Sequence, residues 1–138
     1  MSTRLPKSYS PSEDEPFMNK RQQEYFRRKL LAWRDELARE SSQTIQNLQE
    51  ETTRAPDSAD RASAESDRSL ELRTRDRERK LTGKINEALK RIEDGAYGIC
   101  EESGDKISLA RLEARPTATL SLEAQKGHER REKSFGDE

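Results

Sequence analysis

The chain has 138 residues, of which 40% are charged and only 29% hydrophobic, a composition too polar for a large globular core. Its 27 basic and 28 acidic residues nearly cancel, which argues against a general nucleic-acid or membrane-surface binder. The single cysteine excludes an internal disulfide and a zinc site built from cysteines alone. No apolar run approaches transmembrane length and no signal peptide is visible, so we expect a cytoplasmic protein.

The first 54 residues divide into a proline-rich arm and a long helix. Residues 1–16 hold three of the five prolines among serine and acidic residues, which predicts a flexible or loosely docked arm. Residues 17–54 hold no proline or glycine and predict one helix with an a/d face. Its apolar positions, at 4-3-4 spacing and then more thinly, are Phe26, Leu30, Trp33, Leu37, Ile45 and Leu48.

A second helix is predicted over residues 60–92, because this segment has no proline and only one glycine. Asp94 and Gly95 should end it, since glycine readily adopts the C-cap conformation. Its central part, residues 73–80, is almost wholly charged, as is typical of a solvated helix face. Its apolar positions, again at 4-3-4 spacing with two leucines farther out, are Leu81, Ile85, Ala88, Ile92, Leu70 and Leu72.

Residues 55–62 connect the two helices, and the fold predicted is therefore all-α, with a long antiparallel helical hairpin or coiled coil. Pro56 stops the first helix, and an aspartate can cap the second. Asp57 and Asp60 stand three residues apart, as N-cap and N3 residues do. Two interpretations are open at this point. Either the pair is capping chemistry at a turn, or the rod carries two carboxylates at its tip for use elsewhere.

The third region, residues 95–133, is predicted to be compact. Glycines at positions 95, 98 and 104 indicate tight turns. We expect Thr117 to cap a last helix over residues 120–133, followed by a frayed tail at 134–138. The side chains that can form a small core in this body are Ile99, Ile107, Leu109, Leu112, Tyr25, Phe26 and Trp33.

Two segments, YGIC at residues 97–100 and RLEARPTA at residues 111–118, resemble the DksA/TraR family of bacterial transcription factors. The resemblance covers about residues 17–133, as in the longer members of that family. It implies a globular body from both chain ends and a coiled coil that enters the secondary channel of RNA polymerase without DNA binding. The earlier segments that share the resemblance are residues 26–28, 32–34, 69–73 and 75–81.

The resemblance places Asp57, Asp60 and Ala62 at tip positions that act near the polymerase active site. It implies that the tip changes the lifetime of promoter complexes, with no catalysis by the chain itself, and it favours the functional interpretation of the carboxylates. A tip that adjusts a metal of the polymerase, as in transcript-cleavage factors, is one alternative. A structural helical-hairpin adaptor is the other, and it explains the heptads but not the YGIC and RLEARPTA segments.

The zinc knuckle of the family has two CxxC pairs, and the four corresponding positions here are Cys100, Ser103, Ser121 and Ala124. Tetrahedral zinc needs four good ligands, whereas serine is a poor ligand and alanine is none. His128 lies among charged residues, where a lone histidine is usually a solvated surface residue. We therefore expect no zinc, a degenerate zinc-finger-like region held by apolar packing, and a cysteine that packs instead of reacting.

The resemblance also implies that guanosine tetraphosphate (ppGpp) is an effector, bound where the protein meets polymerase. We expect the protein itself to be a monomer. The positions concerned are Arg77, Lys80, Leu81, Lys84 and Arg115. The lysine that the family has in the last helix is Gln125 here, with Lys126 beside it. Neighbouring helix residues point about 100° apart, so Lys126 reaches the same phosphate only if its stem swings or the helix is rotated. We therefore expect a retained but altered dependence on the nucleotide, with weaker synergy.

Overall fold

The computed structural model describes residues 4–54 and 60–136, and the chain forms two compact units. The hairpin unit comprises Leu31–Ile85, and the body unit comprises Met1–Leu30 with Asn86–Glu138. The predicted all-α fold with a long helical hairpin is confirmed, and the described residues contain one isolated bridge, Ile99 to Lys106, but no strand. The helices are α1 (Lys20–Arg54), α2 (Asp60–Asp94), α3 (Leu109–Ala114) and α4 (Leu122–Gly136).

Helix α1 begins at Lys20, later than the predicted residue 17, because Asn19 caps it. The Asn19 Oδ1 atom accepts from the Gln22 N–H at 2.8 Å, and the Gln22 Oε1 atom accepts from the Met18 N–H at 2.7 Å. This reciprocal pair satisfies donors that would otherwise be orphaned at the helix start. Met18, with φ 55°, is in the left-handed region and cannot continue a helix backwards.

Within the hairpin unit the two helices run antiparallel. The Gln49 side chain of α1 donates to Glu71 of α2 at 3.3 Å. The seam of α1 is buried at Leu37, Ser41 and Ile45.

The outer seam of α2 differs from the prediction. Leu70 and Leu72 are 46% and 63% exposed, so the prediction that they extend the seam is wrong. One stripe of half-buried positions recurs at 3-4 spacing, and up to Leu81 its members are polar or small, which puts residues 70 and 72 on either side of it. Those positions are Ala64, Asp67, Glu71, Thr74, Glu78 and Leu81.

The body unit has a small core around an aromatic pair. The rings of Phe26 and Tyr97 lie 5.6 Å apart, and Ile107 and Leu112 are fully buried with them. Ile99 was predicted to be in this core but is 37% exposed. Its neighbours Gly98 and Cys100 are buried, and successive residues of an extended segment point to opposite sides. Trp33, also predicted here, belongs to the hairpin unit and is half-buried.

The C-terminal helices differ from the prediction in their boundaries. α4 begins at Leu122 instead of residue 120, and its cap is Ser121, whose Oγ atom accepts from the Ala124 N–H at 3.2 Å. The prediction that Thr117 caps this helix is wrong, because Thr117 lies in the turn that follows Arg115. α3 was not predicted as a helix. None of the helices in the described ranges has a stretch long and apolar enough to span a bilayer.

Candidate functional site

The predicted tip residues fall at the start of α2. Asp57 and the rest of residues 55–59 lie outside the described residues. Asp60 is the first residue of α2, and Ala62 is exposed in its first turn. The described part of the hairpin unit therefore places Asp60 and Ala62 at one end of a 35-residue helix, which is about 52 Å long.

The charged stretch of α2 contains both paired and unpaired cations. Asp76 accepts from Lys80 at 3.0 Å and from Arg79 at 2.6 Å. The hydrogen bond from Lys80, followed by its charge, holds the pKa of the Asp76 carboxyl below its usual value. Arg77 and Lys84 are exposed and, within residues 4–54 and 60–136, make no ion pair. They lie seven residues apart, so they share one stripe of the helix.

Leu81, on the same part of α2, is half-buried and lines a cavity of the hairpin unit together with Trp33 and Arg77. Its side chain therefore packs within the hairpin, while the cations at positions 77 and 84 remain accessible.

Arg115 lies at the C-cap of α3 in the body unit and is exposed. Its N–H donates to the carbonyl of Arg111 at 2.8 Å, and its own carbonyl accepts from the Ala118 N–H at 3.0 Å. The Arg111 guanidinium, by contrast, donates to the Leu120 carbonyl at 2.8 Å. Within the described residues, the guanidinium of Arg115 therefore has no ion pair, whereas that of Arg111 is engaged.

The carboxylate of Glu113 anchors α3 to α1. Its Oε1 atom lies 2.6 Å from both the Tyr25 hydroxyl and the Lys29 ammonium, which donate to it. Burial, followed by the bond to Glu113, raises the pKa of Tyr25 to about 12. Burial also raises the pKa of Glu113, but the bonds from Lys29 and Tyr25 outweigh it and leave that pKa below 4.5.

Helix α4 carries the two doubtful predicted positions. Gln125 is half-buried, and its amide donates to Glu129 at 3.4 Å. Lys126 is exposed and lines a shallow groove with Glu129, Arg130 and Lys133. The positions on α2 between residues 77 and 84 belong to the hairpin unit, whereas Arg115 and these two belong to the body unit.

Three of the four knuckle positions come together. The Ser103 hydroxyl and then the Ser121 backbone N–H donate to the Cys100 sulfur, and these bonds lower the pKa of the buried thiol to about 6. Burial alone would raise that pKa, so the bonds decide its direction. Sequence reasoning treated the cysteine as a packed side chain, and it did not find this hydrogen-bonded environment.

The donors at the knuckle do not fit zinc. One thiol, two hydroxyls and the methyl group of Ala124 offer one good ligand where four are needed. No cluster of three or more histidine, cysteine or acidic side chains able to hold a metal exists in the described parts of the chain.

Polar contacts connect the knuckle turn to α4 instead. The Glu101 N–H donates to the Thr119 carbonyl at 2.9 Å. Glu102 contacts His128 and lies 3.8 Å from Arg131. The sequence indicated that His128 is a solvated surface residue. In the structure it is half-buried and is a partner of Glu102.

Two family models match the chain. One, described as the DnaK suppressor protein DksA, N-terminal domain, matches residues 22–92, and the other, the prokaryotic dksA/traR C4-type zinc finger, matches residues 95–130. The first therefore covers most of both long helices, and the second covers the knuckle, α3 and part of α4.

Similar proteins agree with these matches. RNA polymerase-binding transcription factor DksA of Caulobacter vibrioides is 65% identical over 130 residues, with 94% of this chain and 92% of that protein covered. The protein of the same name from Escherichia coli K12 is 47% identical over 127 residues, covering 92% and 84%. The structure of transcription factor DksA2 from Pseudomonas aeruginosa has a TM-score of 0.76 at 44% identity, covering 85% of this chain and 90% of that one.

Proposed function

The chain belongs to the DksA family, and we propose that it is a transcription regulator that binds RNA polymerase directly. The observation that carries this proposal is the match along both the hairpin and the knuckle, at 65% identity to a protein named as RNA polymerase-binding. A structural hairpin adaptor needs the heptads of the two long helices but has no need for a matching knuckle. The family membership therefore favours the regulator.

The finer proposal is that the hairpin enters the secondary channel of polymerase and that Asp57, Asp60 and Ala62 act at its tip. A helix about 52 Å long is a suitable means of carrying two carboxylates to a buried site of another protein. The carboxylates would shift the conformational equilibrium of polymerase, so that the lifetime of promoter complexes changes. No catalysis by this chain is required, and no DNA contact is involved.

We further propose that ppGpp binds at the interface with polymerase. Arg77, Lys84 and Arg115 support this, because each is an exposed cation without an ion pair in the described ranges. A guanidinium can grip a phosphate with two parallel bonds, and an ammonium acts as a point charge. Lys80, already bonded to Asp76, and the half-buried Leu81 are proposed to meet polymerase. Because Gln125 stands where the family has a lysine and Lys126 lies beside it, the response to the nucleotide would be weaker than with a lysine at position 125.

The protein is also proposed to work without resident zinc, as a monomer in the cytoplasm where polymerase is found. The chemistry of the donor set supports the first point. The knuckle is joined by hydrogen bonds and by the contact between Glu102 and His128, which can replace a metal cross-link.

A binding and transcription assay tests the proposed function. Purified polymerase should retain the protein, and a transcript-cleavage factor should displace it if both use one channel. Transcription from a ribosomal promoter, with and without the protein, should then differ. Binding without any change in transcription would favour the adaptor, and faster cleavage of stalled transcripts would favour the cleavage-factor alternative.

A further inference from the structure

The position of Arg115 depends on a very short helix. α3 has six residues, fewer than an isolated helix needs to be stable in water, so tertiary contacts must hold it. On its buried side, Leu112 is fully enclosed in the core of the body unit. At its start, the Ser108 Oγ atom accepts from the Arg111 N–H at 3.2 Å. These two contacts hold the buried face and the start of α3, and the Tyr97 hydroxyl holds the residue after Arg115 through the Pro116 carbonyl.

Glu113 attaches the C-terminal turn of α3 to α1. Its carboxylate receives two bonds of 2.6 Å, one from the Tyr25 hydroxyl and one from the Lys29 ammonium, both on α1. The Tyr25 ring is itself braced, because it packs edge-on against Phe26 with ring centroids 5.2 Å apart. We call Tyr25, Lys29 and Glu113 the clamp. It attaches the last turn of α3 to a long helix.

The clamp also has an electrostatic consequence. Glu113 stands two residues before Arg115, and a free carboxylate there would oppose the binding of an anion or pair with the guanidinium. Lys29 neutralises the carboxylate, and both donors direct it toward α1. Arg115 is left without an ion pair in the described ranges.

We propose that Tyr25, Lys29 and Glu113 are positioning residues that set Arg115 for a polyphosphate ligand and keep the Glu113 charge away from it. The inference rests on the proposed role of Arg115 in nucleotide binding. The clamp residues touch neither the nucleotide nor polymerase in this proposal, and they act only through α3.

The test uses Tyr25→Phe and Lys29→Met in transcription assays titrated with ppGpp. Tyr25→Phe removes the hydroxyl but keeps the ring contact with Phe26. Each variant should need roughly fivefold more nucleotide for its half-maximal effect, which is the change expected from one lost hydrogen bond. Polymerase binding and regulation without nucleotide should stay within about twofold of wild type, since the clamp acts only through Arg115.

Tyr9→Phe is the matched control. The Tyr9 hydroxyl also donates to a carboxylate, that of Glu15 at 2.9 Å, and its ring lies 6.1 Å from that of Tyr25. In the described part of the chain the Tyr9 hydroxyl bonds to Glu15 and not to α3, so the nucleotide response of Tyr9→Phe should equal that of wild type. An equal loss in Tyr9→Phe would show a general structural effect and overturn the positioning role.

The double variant Lys29→Met, Glu113→Gln separates charge from geometry. It removes the cation and the carboxylate together, so the nucleotide response should recover in part relative to Lys29→Met alone. Hydrogen exchange at residues 109–118 should be faster in Tyr25→Phe than in wild type, as a direct report on α3. No recovery together with unchanged exchange would refute the clamp.

Arg115→Ala tells the two proposals apart. If it leaves the nucleotide response unchanged, the proposed nucleotide contact at Arg115 is wrong and the clamp has no role to play. If it abolishes the response while Tyr25→Phe and Lys29→Met behave like wild type, the nucleotide contact stands and the clamp proposal is overturned.

Discussion

The hydroxyl of Tyr97 donates a hydrogen bond of 2.7 Å to the carbonyl oxygen of Pro116, joining the turn after α2 to the turn after α3. Tyr97 is 2% exposed, and its ring packs against Phe26. Gly98, the next residue, has φ 87° and lies where a Cβ atom would come within 3.0 Å of the Phe17 ring. The residues just before α1, the knuckle and the turn after α3 therefore meet around Tyr97 and Gly98.

Tyr97→Phe should lower the free energy of unfolding by about 1–3 kcal/mol, because the buried Pro116 carbonyl loses its donor. Urea unfolding followed by circular dichroism measures this change. Tyr9→Phe, at a half-buried tyrosine of the arm, should have a smaller effect. If Tyr97→Phe unfolds at the same urea concentration as wild type, the bond does not stabilise the fold.

The native protein should show no ionised tyrosine at pH 10. Burial is the first cause for each of the three tyrosines, and it raises the pKa of Tyr9 to about 12, that of Tyr25 to about 12, and that of Tyr97 further. Because these folded pKa values lie above 10.0, the associated stability is complete below pH 10 and is lost as pH rises toward 12. Absorbance of tyrosinate, compared with the protein in urea, measures the shift. A native titration with a midpoint at 10 would contradict it.

The purified protein should contain no stoichiometric zinc, and a chelator should leave its melting temperature unchanged. The reason is that Ser103, Ser121 and Ala124 replace three thiolate ligands. Elemental analysis measures the metal content. The matched control is the triple variant Ser103→Cys, Ser121→Cys, Ala124→Cys, which should bind one zinc per chain and melt lower when chelated. About one zinc in the wild-type protein would overturn the proposal.

Asp60→Asn should abolish regulation of a ribosomal promoter while helicity and polymerase binding remain. Asparagine caps helices nearly as well as aspartate, so the change removes charge and spares the capping role. Asp57→Asn should be similar but milder. Glu65→Gln, an exposed acid farther along α2, is the control and should regulate like wild type. Normal regulation by Asp60→Asn would show that the carboxylate charge is not needed and would favour the interpretation of the tip as a capped turn.

Lys84→Ala should lose the cooperation with ppGpp, because it removes an exposed cation of α2 that no ion pair in the described ranges engages. Gln125→Lys should match or exceed wild type, since it adds a cation on the last helix. Nucleotide titrations of transcription measure both effects. An unchanged response in Lys84→Ala would remove this residue from the proposed site.

Local sequence signals were sufficient to predict the two long helices and the point where α2 ends before the knuckle. The heptads over residues 26–37 and 81–92, the absence of proline and the glycine at position 95 predicted α1, α2 and the end of α2. Caps were harder, because several residues compete for them. Asn19 caps α1, for which no cap was predicted, and Ser121 instead of Thr117 caps α4, because each side chain accepts a bond from a helix N–H group.

The exposure of single residues depended on register. Leu70 and Leu72 are apolar, and sequence reasoning put them in the seam, but the seam runs through polar positions such as Glu71 and Thr74. A helix has one inward stripe, and polar residues can occupy it where a thin coiled coil leaves them half exposed to water.

The sequence by itself determined the all-α class, the two long helices, the family and the loss of the zinc ligands. Each of these follows from the local spacing of residues or from the residue type at a position. Only the tertiary structure decided that Tyr25 and Lys29 hold Glu113 and that Tyr97 holds Pro116. It also decided that the Arg111 guanidinium is engaged, whereas that of Arg115 makes no ion pair within residues 4–54 and 60–136. Bonds between residues far apart in the chain leave no periodicity in it. They arise where packing brings a donor and an acceptor to hydrogen-bonding distance.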